Sequence, residues 1–342
     1  IFIAYIGAFS ALLAAVIATR QTDIKKILAY STMSQLGYMF IAVGLGFYSS
    51  GLFHVFTHAF FKAMLFMGAG GVIIALHHEQ NIFNIAKHRA ILPIISATFL
   101  IGVIAISGIP PFSGFFSKDA ILAAAFQEGH YLIYGIALFT AFLTAFYMFR
   151  LYFVVFVTPN HHKKEYVYTS KTITFPLVVL AVGAVTAGFL NLPSIFGGTH
   201  MVDTWLGSLN SKTITLSHST EYILMALSVL VASFGIFIAY KKYARFDLEK
   251  PELEVGFVGR KLYVDELYDI LFVKTSKAIS CFIDKVLDAK IIDAFIMKSS
   301  IYFVAIGRKV ALIQNANVRF YALFMLAGMT CIFVYLYLKL GL

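Results

Sequence analysis

The chain has 342 residues, of which 60% are hydrophobic and only 13% charged, and its mean hydropathy is +0.84. Soluble chains carry about 25% charged residues, so this composition excludes a water-soluble globule and indicates a polytopic membrane protein. The formal net charge of +10 reads first as loop charge flanking membrane spans, and nucleic acid is not an expected partner.

In chain order the apolar runs fall at 1–19, 27–48, 52–76, 91–127, 131–157, 173–196, 220–240 and 320–340. An apolar helix of about 20 residues crosses a hydrocarbon core of about 30 Å. No alternation of the kind found in barrel strands appears. The expected fold class is all-α: a polytopic membrane helical bundle with one broken helix and a long amphipathic lateral helix. Residues 1–240 are expected to form the bundle, with about seven spans. Residues 241–319 read as a linker plus lateral helix, and 320–342 as a C-terminal anchoring span. Ile1 lies inside an apolar run with no initiator methionine or leader in front of it, so the chain reads as a piece whose upstream part is missing. Cys281 and Cys331 form no CxxC pair and sit in different segments. They do not suggest a zinc or iron–sulfur site.

The loops set the orientation. Arg20, Lys25 and Lys26 follow the first span; Lys87, His88 and Arg89 follow the third. Lys163, Lys164 and Lys171 come after residue 157, and Lys241, Lys242 and Arg245 after residue 240. The intervening turns are poor in Lys and Arg. The alternation is strict if 91–127 counts as one interrupted span, which puts the basic loops and the lateral helix on the cytoplasmic side. Arg150, near the cytoplasmic end of its span, is expected to snorkel.

Three polar stretches interrupt the apolar pattern. In 19–39, Asp23, Lys25 and Lys26 stand at the start of the second span, and Ser31, Thr32, Ser34 and Gln35 run into it. Such side chains pack helices together or hold water. In FHVFTHAFFKAMLF, 53–66, His54, His58 and Lys62 recur every four residues, a ladder of about 12 Å along one helix face. A charge at the bilayer centre costs roughly 2.5–3.5 kcal/mol or more on insertion scales, so the ladder should face the interior. Histidines at i and i+4 can chelate a metal, but no acidic or cysteine third ligand lies near. They can also be satisfied by carbonyls. The best single account is a proton relay, since histidine titrates near neutrality. In 91–127, Pro110 and Pro111 break the helix between Gly108 and Gly114, and FFSKDAIL follows with Lys118 and Asp119. A break at membrane depth is tolerated where protein or water satisfies the freed backbone, and such breaks mark ion pathways in transporters. The plainer reading is a re-entrant turn with Lys118 snorkelling.

TDIKKILAYSTMSQLGYM, FHVFTHAFFKAMLF and GIPPFSGFFSKDAIL together resemble the antiporter-like subunits of the proton-pumping NADH–quinone oxidoreductase, respiratory complex I. The resemblance covers the whole chain, strongly to about residue 157 and more weakly beyond. It implies a proton pathway through His54, His58, Lys62 and Lys118, with Asp23 and Lys25 at the cytoplasmic entrance. It implies a missing upstream half carrying a glutamate and a lysine. It also implies no cofactor in this chain, with NADH, FMN, iron–sulfur clusters and quinone held by other subunits. The segment 256–315 carries charges every few residues at helical spacing. About 50 helical residues would reach about 75 Å, too long and too charged to span. This resembles the lateral helix of the L-type members, which runs beside the neighbouring antiporter-like subunits of the membrane arm. The partners implied are those subunits and the lipid bilayer; the location implied is the inner membrane of a bacterium, multi-pass. The large subunit of a Mrp-type sodium/proton antiporter, which shares the core and the lateral helix, is the nearest alternative. A mainly structural brace is another.

Overall fold

The computed structural model describes residues 1–88, 90–158, 165–166, 170–193, 196–198, 201–206, 211–246, 257–312, 314 and 317–340. Arg89, Lys163 and Lys164, among the loop charges, lie outside them. The regular elements among the described residues are helices apart from two two-residue strands, β1 (Ala90–Ile91) and β2 (Glu165–Tyr166), paired in parallel. It divides into two units, Ile1–Tyr263 and Val264–Leu342.

In the first unit the helices are α1 (Phe2–Ala18), α2 (Ile24–Leu45), α3 (Tyr48–Ala75), α4 (Ile82–His88), α5 (Pro93–Ser107), α6 (Ser113–Gln127), α7 (Tyr131–Tyr152), α8 (Lys171–Thr186), α9 (Met201–Trp205) and α10 (His218–Tyr243). Among the described residues, six helices are long and apolar enough to cross a membrane, the last of them in the second unit; Phe2–Ala18 and Pro93–Ser107 are shorter apolar helices. The chain is an all-α membrane bundle.

Local chemistry sets the helix ends. Asp23 caps α2 by accepting from the Lys25 and Lys26 amides at 2.8 and 3.2 Å, which satisfies two of the first turn's free donors. Gly46, at φ +90°, closes α2 in the left-handed conformation that glycine adopts without strain. Pro93 opens α5, where its missing N–H is not needed. Ser217 caps α10 through the Thr220 amide.

Two packing features position the site. α1 and α2 meet through small residues: Gly37 lies against the Gly7 carbonyl and Ala11, so the backbones approach closely where any larger side chain would part them. α5 and α6 share α3 as a common neighbour. Gly71 and Gly68 of α3 lie against Ile95 and Phe99, and Leu65 against Gly102. Phe61 then lies beside Gly114, and Thr57 and His54 beside Ser117. Reading α3 backwards thus traverses α5 and then α6 in order, so the two short helices form one interrupted span antiparallel to α3. That is the condition on which the alternation of loop charges rested. The break falls at Gly108 (φ +76°) and the two prolines.

Arg150 departs from the sequence expectation. It does not snorkel: it is fully buried, donates from Nη1 to the Gln21 carbonyl at 2.8 Å, and lies over the Phe83 and Tyr243 rings at 5.8 and 5.5 Å. A guanidinium between two aromatic faces and a loop carbonyl has an alternative to water that a lone side chain in lipid lacks.

In the second unit the backbone is helical without interruption from Val264 to Ala311. Within it, α11 (Val264–Tyr268), α12 (Thr275–Phe282) and α13 (Ala294–Ala311) are joined by wide π-type turns at Asp269–Lys274 and Ile283–Asp293. At 1.5 Å per residue this path is about 70 Å long. Leu267, Ile270, Leu271, Ile279 and Phe282 along it are more than half exposed. An apolar helix, α14 (Val318–Leu340), follows, and none of its described residues is buried.

Candidate functional site

The site is built where α3 crosses the second half of the broken span. His54, His58 and Lys62 all lie inside the bundle, at 0%, 9% and 5% exposure, and Lys118 at 2%. α3 supplies the ladder, α6 supplies Ser117 and Lys118, and α2 supplies Gln35 and Tyr38.

His54 is the junction. Its Nδ1 lies 2.9 Å from Ser117 Oγ and its Nε2 3.1 Å from Gln35 Oε1. An amide oxygen only accepts, so Nε2 carries hydrogen and donates to it. In the neutral ring Nδ1 then accepts from the Ser117 hydroxyl, which in turn accepts from Thr57 Oγ1 at 2.8 Å. The Ser117 hydroxyl has a second acceptor, the Ser113 carbonyl at 3.3 Å. When His54 takes a second proton on Nδ1, the hydroxyl can swing to that carbonyl and accept instead. The junction therefore accommodates both protonation states with no heavy atom displaced.

Lys118 sits on the next residue of α6. Its Nζ donates to the Ile106 carbonyl at 2.7 Å and lies 5.3 Å from the centre of the Tyr38 ring. Ile106 is in the last turn of α5, whose carbonyls have no onward helical donor because the span is broken. The break thus supplies the lysine with an acceptor at the negative end of a helix. His54 lies within electrostatic reach of His58 and Lys118, and His58 within reach of Lys62 and Lys118. The His54 and His58 rings are 6.2 Å apart. At the far end Lys62 Nζ and His58 Nε2 are buried without a hydrogen-bond partner, and Lys62 lies 5.5 Å from the Phe66 ring. The four side chains form a file of buried titratable groups.

Asp23 and Lys25 are placed differently. Asp23 is half-buried and occupied in capping α2, and Lys25 is exposed; no contact of either with the buried file is present among the described residues. Sequence reasoning did not connect several members of the site to the titratable file. Gln35, Thr57 and Ser117 hold His54, and their signal was only polarity within an apolar run. Asp119 is 92% buried by area, accepts from Ser228 Oγ on α10 at 2.7 Å and leaves Oδ2 unpaired. Tyr147 of α7 and Ser31 and Ser34 of α2 are also fully buried. Among the described residues no group of three or more His, Cys, Asp or Glu side chains is placed to hold a metal ion.

Comparison with known proteins places this geometry. Residues 1–144 match the family described as NADH:quinone oxidoreductase/Mrp antiporter, transmembrane. NAD(P)H-quinone oxidoreductase chain 5 of Picosynechococcus sp. is 38% identical over 94% of this chain and 54% of its own length. NADH-quinone oxidoreductase subunit L of Rickettsia bellii is 38% identical over 86% of this chain and 48% of its own. The fold is similar to one in the structure of the Mrp complex from Dietzia sp., with a TM-score of 0.56 at 19% identity over 90% of this chain and 33% of that one. The chain spans about half the length of the curated relatives it matches. All the buried titratable groups of the file lie inside residues 1–144, the segment that matches the transmembrane model of the NADH:quinone oxidoreductase/Mrp antiporter family.

Proposed function

We propose that the chain is a proton-translocating membrane subunit of an NADH–quinone oxidoreductase, moving protons along Lys62, His58, His54 and Lys118 while quinone is reduced elsewhere in the complex. The observation that carries this reading is the buried His54–Ser117 link, which joins the ladder on α3 to the lysine beside the helix break. A group that accepts both protonation states without rearrangement is what a proton path needs. The relatives named NADH-quinone oxidoreductase subunit L and chain 5 support the assignment to that complex. On this reading the chain works as part of a translocase and holds no redox site. NADH, FMN, iron–sulfur clusters and quinone belong to other subunits.

The proposed organisation has an antiporter-like bundle at 1–240, a linker and lateral helix at 241–319, and an anchoring span at 320–342. The bundle lies in a bacterial inner membrane. The lateral helix lies on its cytoplasmic side against neighbouring antiporter-like subunits, which cover the apolar side chains exposed along 264–311. Asp23 and Lys25 stand at the cytoplasmic entrance.

The test is Lys118→Ala in the assembled complex. It lowers protons moved per quinone reduced while assembly stays normal, and Lys118→Arg does not restore it, because a guanidinium stays protonated at any usable pH. Normal pumping in the assembled Lys118→Ala complex would sink the proposal. A Mrp-type sodium/proton antiporter is the second reading, favoured by the family description that names both systems. Neighbouring genes encoding antiporter subunits without redox subunits would select it.

A further inference from the structure

A cavity of about 400 Å³ opens beside the broken span, between α6, α10 and the segments 191–193 and 212–216. Asp119 lines it, and so do His218 and Glu221 from the first turn of α10. Two buried acceptor oxygens of its lining residues, Asp119 Oδ2 and Asn191 Oδ1, have no hydrogen-bond partner. Asp119 thus lines the cavity and directly follows Lys118, the last member of the buried file, on α6. One hydrogen bond from another helix holds its carboxylate: Ser228 Oγ, about three turns inside α10, donates to Oδ1 at 2.7 Å. The charged and titratable groups around Asp119 are Lys118 on its own helix, Glu221 and His218 on α10, Tyr134 on α7, and Lys212, which is paired with Glu128 at 2.6 Å.

We propose that Ser228 is a positioning residue that holds the Asp119 carboxylate between Lys118 and this cavity, making the cavity, with Glu221 and His218 at its mouth, the chamber through which the file exchanges protons with water. This rests on the proton-path reading above and adds α10, outside the segment matched to the family, to the pathway. The step balances simply. The Lys118 ammonium loses a proton to an intervening water and becomes an amine, and that water passes a proton to the Asp119 carboxylate, which becomes a carboxylic acid. Water in the cavity then takes it as hydronium and restores the carboxylate. Ser228 holds Oδ1 toward α10, which leaves the unpaired Oδ2 as the oxygen that exchanges the proton. Glu221, acidic and at the mouth, attracts the leaving cation.

The experiment compares Ser228→Ala, Ser228→Thr and Lys118→Ala in the assembled complex, reading protons moved per quinone reduced across a pH series. Ser228→Ala lowers pumping toward the level of Lys118→Ala. It also displaces the pumping profile by about one pH unit, the scale of one lost charge-assisted hydrogen bond. Ser228→Thr, which keeps the hydroxyl, restores both. Equal losses in the Ala and Thr variants, or wild-type pumping and profile in Ser228→Ala, overturn the proposal. Loss in Lys118→Ala beside an unaffected Ser228→Ala overturns this inference and leaves the proton-path reading standing; wild-type pumping in Lys118→Ala removes both. Should Ser228→Ala not assemble, Leu216→Cys on the cavity wall is modified after assembly with a charged methanethiosulfonate. The control is wild-type complex treated identically, because Cys281 and Cys331 are exposed. Pumping falls on modification if the cavity is the exchange chamber, and unchanged pumping of the modified variant refutes it.

Discussion

The two ends of the α3 ladder are buried alike but satisfied differently. At one end both ring nitrogens of His54 are engaged, with Ser117 and Gln35. At the other, Lys62 Nζ is buried beside a Phe66 ring with no hydrogen-bond acceptor. A neutral imidazole held on both sides contributes to stability, whereas an ammonium without an acceptor in an apolar surrounding costs several kcal/mol or must give up its proton. The first end therefore holds the bundle together and the second holds it in tension. Function is expected to be sensitive to both ends, and stability to only one.

Substitutions can break that contrast. The largest expected effect is that of Lys62→Met, which abolishes the contribution of this subunit to pumping but leaves the thermal stability of the solubilised complex equal or higher, since an unpaired buried charge is replaced by an apolar chain of similar length. A fall in melting temperature would show that Lys62 has a stabilising partner. Arg150→Met comes next and is expected to go the other way. It costs about 2–4 kcal/mol by leaving the Gln21 carbonyl and the packing of two rings unsupported, read as poor assembly or a lowered melting temperature. His54→Ala should cost about 1–3 kcal/mol, because Ser117 and Gln35 lose a shared partner, and it should lower pumping less than Lys62→Met, since water can bridge the gap. The smallest effects are expected at the end of α2. Asp23→Ala costs about 1 kcal/mol as a lost helix cap, while Asp23→Asn keeps the cap and removes the charge. Equal pumping in Asp23→Asn and wild type would assign Asp23 to capping alone. Lys25→Ala, at an exposed site, should change stability by less than about 0.5 kcal/mol.

The same contrast marks how far sequence reasoning reaches. His54, His58 and Lys62 were legible because a fourfold spacing fixes a shared face whatever surrounds the helix. Lys118 was legible because two prolines announce the break beside it. Ser117, Thr57 and Gln35 were not: a hydroxyl or amide in an apolar run is equally consistent with helix packing, and only its neighbour separates the two. Arg150 was misjudged for the same reason. Its position near a span end suggested snorkelling, but Phe83 and Tyr243, 67 and 93 positions away in the chain, enclose it.

The sequence by itself determined the membrane class, the series of apolar helices, the interruption at Pro110 and Pro111 and the long charged helical stretch before the last apolar helix, because hydropathy, helical period and proline's missing N–H act within a few residues. Tertiary structure alone decided that α5 and α6 lie in line along α3, that Ser117 meets His54 across 63 positions and that Ser228 holds Asp119 across 109. Those contacts depend on the register in which helices pack, and that register is set by small residues such as Gly114 and Gly37 fitting against particular backbone atoms of another helix, a condition that no local pattern contains.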